Sequence, residues 1–301
     1  MRNPYSFAFR LPTIVLLMVL ALIAGCAQLD STVDGGAELA LSPITDNPSG
    51  KRYPGRIVWH DLLTSDLRAA GNFYEKVFGW QIDYGEHSAI ARNHGERLAG
   101  ILELPIKDDT SRAVWIPTVS VKNVEATLGL VEAGGGKVIR GPVDMDTRGR
   151  AALVRDFQGA DLVLLTARGG DPVQTEAEVG DWLWNEIWTD NPAQTENYYM
   201  GVLGYDEVAP VKDDYSVFMI DDQWIAGMRH LGKQRGEPVW VPVVRVADPE
   251  LVARQVESLG GEVLITPDQA PNQGSTALIS DPSGAILLIQ RWPIQTSDNS
   301  N

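Results

Sequence analysis

The stretch Ile57–Trp80, IVWHDLLTSDLRAAGNFYEKVFGW, and its cousin Leu183–Tyr205, LWNEIWTDNPAQTENYYMGVLGY, decide the fold. In the first, IVWHDLLT has the β-branched and aromatic composition of a strand. Ser65 or Asp66 then caps a helix with Leu67, Ala70, Phe73, Val77 and Phe78 on one face, and Gly79 stops it. The cousin marks its helix start more sharply, with Asn191 as cap and Pro192 in the first helical position.

The two stretches are the opening of an internal repeat at an offset of 125 residues. Trp59 pairs with Trp184, Phe73-Tyr74 with Tyr198-Tyr199, Val114-Trp115 with Val239-Trp240, and Asp156 and Gly159 with Asp281 and Gly284. Ala99-Gly100 meets Ala226-Gly227 at 127, so one short insertion is later compensated. The chain therefore holds two copies of one domain, 55–168 and 180–293, joined by a linker at 169–179. Within a copy, a strand, a helix and three short strand-like runs occur twice, the second time from AVWIPTVSV through a helix near 124–133. The expected class is α+β.

Outside the repeat, residues 1–25 carry Arg2 and Arg10 ahead of an apolar run from Leu11 to Ala24. That run is shorter than the ~20 residues of a spanning helix and reads as a secretory signal peptide. Cys26 is the chain's single cysteine, so neither a disulfide within the chain nor a multi-cysteine metal site can form. Ala27–Pro54 lacks a sustained period and reads as a flexible tether, and 294–301 as a disordered tail. The net charge is -15, and -17 once the signal with its two arginines is removed. With no Lys/Arg cluster, a nucleic-acid partner is excluded. Neither a G-x-S-x-G elbow nor a complete G-x-x-x-x-G-K-[ST] phosphate loop is present.

Domains that open with LLTSDLRAAGNFYEKVFGW and close with DPSGAILLIQ resemble the vicinal oxygen chelate superfamily of glyoxalase, bleomycin-resistance and extradiol-dioxygenase proteins. The resemblance implies two βαβββ modules per domain, forming a curved, half-open mixed sheet around a pocket. Ile23-Ala24-Gly25-Cys26 likewise resembles a bacterial lipobox. It implies a lipoprotein acylated on Cys26, and with Ala27-Gln28 following, anchorage at the outer membrane facing the periplasm.

In the superfamily, His, Glu or Gln side chains of the first and last strands hold a divalent metal. The last-strand positions are here Val163 and Leu288, the first-strand positions Trp59 and Trp184, and the second module offers Trp115-Ile116 and Trp240-Val241. No metal or other cofactor is thus favoured, although a displaced set of His60, Asp61 and Glu103 leaves a divalent metal possible, with His230 matching Glu103 in the second copy. Alternation along the strand sends Trp59, Asp61 and Leu63 inward and His60 outward. Asp61 and Glu186 then set the polarity of a pocket to which Trp59, Trp115, Trp184 and Trp240 supply area. Arg155, Tyr215 and Arg229 carry no distinguishing signal. The leading expectation is a small-molecule binder for an aromatic or amphipathic ligand. The alternatives are a metal-dependent lyase, isomerase or dioxygenase, and a structural or assembly module at the outer membrane. Catalytic residues and oligomeric state are not legible.

Overall fold

The computed structural model describes residues 41–104, 113–232, 238–270 and 274–293. The signal peptide, Cys26 and the C-terminal tail lie outside the described residues, among which no helix is long and apolar enough to cross a membrane.

The repeat becomes two eight-stranded sheets. The first module comprises β1 (Ile57–Thr64), α1 (Leu67–Phe78), β2 (Gln81–Tyr84), β3 (Ser88–Asn93) and β4 (Glu96–Glu103). The second comprises β5 (Val114–Ser120), α2 (Val124–Ala133), β6 (Lys137–Met145), β7 (Gly149–Arg155) and β8 (Asp161–Ala167). The other domain repeats the scheme with β9 (Trp182–Thr189), α3 (Pro192–Leu203), β10 (Glu207–Lys212), β11 (Tyr215–Ile220) and β12 (Gln223–His230). It continues with β13 (Val239–Arg245), α4 (Pro249–Ser258), β14 (Glu262–Ile265), β15 (Thr276–Ser280) and β16 (Ile286–Gln290). Strand orders are β2-β3-β4-β1-β5-β8-β7-β6 and β10-β11-β12-β9-β13-β16-β15-β14. In each, the first strands of the two modules meet antiparallel, and each runs parallel to the last strand of its own module. The sheets are mixed and unclosed.

Local chemistry sets the helix ends. Asp66 accepts from the Ala69 amide at 2.8 Å, and Asn191 caps α3 with Pro192 behind it. Gly79 and Gly204 end α1 and α3 at φ 75° and 76°, in the left-handed region that a Cβ disfavours.

The helices lie between the two sheets. Phe73, Tyr74 and Val77 of α1 share one buried cluster with Ala99 and Ile101 of their own sheet and with Val256, Ile279 and Leu287 of the other domain. Reciprocally, Tyr198, Tyr199 and Val202 of α3 pack with Val124, Val131 and Leu162 of the first domain. The two domains thus share their largest apolar cores, and the opposite, inner face of each sheet points away from this junction.

The described structure begins inside the expected tether. Residues from Leu41 onward lie on the first domain, with Ile44 only 3% exposed.

Candidate functional site

Along β1, the neighbours confirm the alternation. Trp59 packs inward with Ile44, Ala151, Leu165 and Ala167, whereas Leu62 packs with the helix residues Leu67, Phe73 and Tyr74. A register shift falls between Ile57 and Trp59, ahead of His60, and so leaves the order of His60 and Asp61 intact.

Inward-facing Asp61 is fully engaged. Its Oδ1 accepts from Trp59 Nε1 at 2.9 Å, and Arg148 grips both oxygens, with Nη1 2.6 Å from Oδ2. Arg148 comes from the turn between β6 and β7 and is itself buried. Glu186 is held in the same manner by a different source: Arg229 on β12 donates from Nε and Nη2 at 2.9 and 3.1 Å, and Trp188 Nε1 at 2.9 Å. Arg229 also lies 4.7 Å over the Tyr215 ring, whose hydroxyl accepts from Trp184 Nε1 at 2.8 Å. Burial, then the negative charge of Glu186, pushes the Tyr215 phenol well above its ordinary range. Arg148, Tyr215 and Arg229 are the residues that sequence reasoning passed over. The glycines matched in both copies were the available signal: a Cβ on Gly100 would stand 2.2 Å from Asp61 Oδ1, and one on Gly227 2.2 Å from Tyr215 Oη.

The inner face of the first domain is covered by its own chain. Leu41 packs against Leu63, Leu102, Ile116 and Leu153, and Ile44 seats against Trp59. The Leu41 carbonyl accepts from Thr147 Oγ1 and that of Ser42 from Arg148 Nε at 3.1 Å. Asp46 closes the strap, bridging Arg97 at 2.6 Å and Arg92 at 2.7 Å, and these two cations hold its carboxyl below the usual range.

Trp115 and Trp240 do not join Trp59 and Trp184. Trp115 pairs with Leu62 across β1 and β5, which puts it on the helix side, where its Nε1 donates to Tyr74 Oη at 3.0 Å. Trp240 donates likewise to Tyr199 Oη at 3.0 Å. The expected wall of four tryptophans thus resolves into two that face inward and two that fill the junction.

At that junction the copies touch through equivalent residues. His60 Nε2 lies 2.7 Å from Asn185 Oδ1, and these are the same position of the repeat. Tyr74 donates to Asp281 at 3.1 Å and Tyr199 to Asp156 at 2.9 Å, again one pair repeated. Contact between a residue and its own repeat equivalent marks the position of a pseudo-twofold axis. His60 is therefore fixed by a partner and by the Trp182 ring 4.3 Å away, a tighter constraint than its outward direction on the strand suggests. Burial first, against smaller opposing effects of Asn185 and Asp61, lowers its pKa to about 4. Burial also pushes Asp281 up to about 6, although the Ala285, Tyr74, Ser283 and Gly284 donors oppose the rise.

A cleft of about 730 Å³ opens beside this axis, where the starts of β1 and β9 meet the linker. Trp59, His60, Trp182, Trp184, Trp224 and Trp292 line it. The Trp184 and Trp224 rings lie with centroids 6.4 Å apart and planes tilted by 55°.

These donors do not fit a divalent metal. Among the described residues no three His, Cys, Asp or Glu side chains come together as a possible ion site. His60 and Asp61 occupy opposite faces, Asp61 and Glu186 are neutralised by arginines, and Val163 lies among the apolar residues of the inner face. Glu103, at the end of β4, caps the Leu67 amide at 3.3 Å and meets His87 at 3.4 Å. His230 sits at the end of β12, half-buried.

Residues 56–164 match the model of the Glyoxalase/Bleomycin resistance protein/Dioxygenase superfamily. That match covers almost all of the first domain. The second domain repeats its fold strand for strand. Among relatives, the "Putative glyoxylase CFP32" of Mycobacterium tuberculosis is 29% identical over 242 residues, covering 77% of this chain and 92% of that protein. The anthracycline biosynthesis protein DnrV of Streptomyces peucetius is 27% identical over 256 residues, covering 77% and 91%. Among solved structures, the Mn(II)-bound glyoxalase from Novosphingobium aromaticivorans superposes with a TM-score of 0.58 at 15% identity, covering 80% of this chain and 83% of that one. A variant of homoprotocatechuate 2,3-dioxygenase from B. fuscum gives 0.55 at 14% identity, covering 86% and 77%. Both solved structures share the fold.

Proposed function

We propose that the chain is a metal-free binder of a small aromatic or amphipathic molecule, held in the cleft between its two domains. The observation that carries this reading is the cleft of about 730 Å³ lined by five tryptophans, in a protein whose inward carboxylates are each neutralised by an arginine. That volume lies within the ~300–1,000 Å³ of ligand sites, and indole faces offer area at small entropic cost. The name of one relative, an anthracycline biosynthesis protein, supports a small-molecule guest. Among the described residues a metal-dependent lyase or dioxygenase lacks the donor set it needs. Titration of intrinsic tryptophan fluorescence with a panel of aromatic ligands tests the proposal: saturable quenching that disappears in Trp184→Ala supports it, and silence across the panel overturns it.

The same proposal places the protein on a membrane. A lipid on Cys26 would hold it at the outer membrane facing the periplasm, supported by the apolar run that ends in Ala24-Gly25-Cys26. Labelled palmitate incorporated by the native chain and absent from Cys26→Ser is the expected result; equal labelling, or none in either, overturns the anchor.

A further inference from the structure

The cleft has a charge and a buried acceptor that narrow its guest. Glu96, Glu176, Glu178 and Asp181 line it, against Arg56, Arg97 and His94. Of the two arginines, Arg97 is paired with Asp46 at 2.6 Å, while Arg56 donates to the neutral Gln223 and keeps its charge, one cation against four carboxylates. His94 lies 3.5 Å from Glu178. Carboxylates therefore outnumber the cations available to balance them. Trp224, 53% exposed, and Trp292, 42% exposed, present open ring faces, and such faces attract cations electrostatically.

His60, 2% exposed, lines the same cleft, and its Nδ1 has no hydrogen-bond partner among the described residues. Its Nε2 is committed to Asn185 Oδ1, an acceptor, so the ring proton sits on Nε2 and Nδ1 keeps its lone pair. With a pKa of about 4 the ring stays neutral near pH 7. A buried acceptor without a donor is costly, and a ligand supplying the donor removes that cost.

We infer that the cleft takes a planar cation bearing an N–H group, with its ring against Trp184 and Trp224, its charge among the carboxylates, and its N–H donated to His60 Nδ1. This specifies the guest of the binding reading above and rests on it.

Four fluorescent probes of similar size separate the parts on the full chain: 9-aminoacridine, 10-methylacridinium, neutral 9-hydroxymethylanthracene and anionic anthracene-9-carboxylate. We expect 9-aminoacridine to bind at least tenfold tighter than the anion, and tighter than 10-methylacridinium, which has the charge without the donor. Glu176→Gln/Glu178→Gln, two exchanges of exposed side chains, should weaken both cations severalfold and leave the neutral probe unchanged. In His60→Phe the two cations should bind alike. An anion that binds as well as the cation, or cation affinity indifferent to the double exchange, overturns the charge assignment while the cleft remains a binding site. Equal affinity of the two cations for the native chain overturns the role of His60. If all four probes fail to bind, the binding reading falls together with this inference.

Discussion

Asp61 and Glu186 show how a polar residue survives on an apolar wall: each is buried, and each has a guanidinium with which it shares two hydrogen bonds. Removing one partner leaves the other as an uncompensated buried charge, at about 3–5 kcal/mol, whereas replacing both by apolar groups is far milder. Urea denaturation should therefore find Arg148→Met strongly destabilised and Asp61→Leu/Arg148→Met substantially restored; a double variant as weak as the single would contradict the pairing. His60 and Asp281 give the junction opposed responses to acid. The pKa of His60 is lowered from 6.5 to about 4, so in that window the unfolded chain binds the extra proton and acid costs about 3 kcal/mol of stability. Asp281 is raised from 3.8 to about 6, so the folded chain binds the extra proton and acidification returns about the same amount. The two nearly cancel between pH 4 and 6. His60→Gln removes one side, and its urea midpoint should rise relative to the native chain as pH falls from 6.5 to 4; parallel profiles would mean that His60 is not held neutral. The alternation of β1 made the directions of Trp59, His60 and Asp61 legible from sequence. Arg148 was not legible, because 87 residues separate it from Asp61 and only the folded sheet brings them together.

Among elements, the helices were the most legible and the strap the least. Caps and glycine stops are local chemistry, so Asp66, Gly79, Asn191 and Gly204 announce themselves within a few residues of the helices they bound. Facing tryptophans require the register between β1 and β5, strands about fifty residues apart, and without it Trp115 reads as inward-facing although its partner Leu62 belongs to the helix side. The strap carries no periodicity at all, and the small polar residues around Ile44 gave it the look of free chain. Its burial makes a specific claim: Ile44→Ala should cost about 2–5 kcal/mol, as a core truncation does, while Asp46→Ala, at a half-exposed ion pair, should cost about 1 kcal/mol or less. Thermal or urea midpoints of the two variants measure the contrast, and similar small losses would show that the segment does not seat.

For the whole molecule, the repeat was legible as two copies, but their relation was not, because contacts between copies leave no spacing signature beyond the shared offset. Two apolar cores drawn from both domains predict a single calorimetric transition with no folded half surviving alone. Tyr74→Phe and Tyr199→Phe remove equivalent donors from Asp281 and Asp156, and each should lower the transition by a similar amount, about 1–3 kcal/mol, additively when combined. Two resolved transitions would refute the shared core. The strap also decides where the molecule bears load. Any pull on the chain ahead of Leu41 reaches the body through Leu41, Ile44 and the Asp46 bridges before it reaches a strand end. Traction from that side is therefore felt first in the interior of the first domain, beside Trp59 and Arg148, and the cleft that Trp59 borders stands next in line.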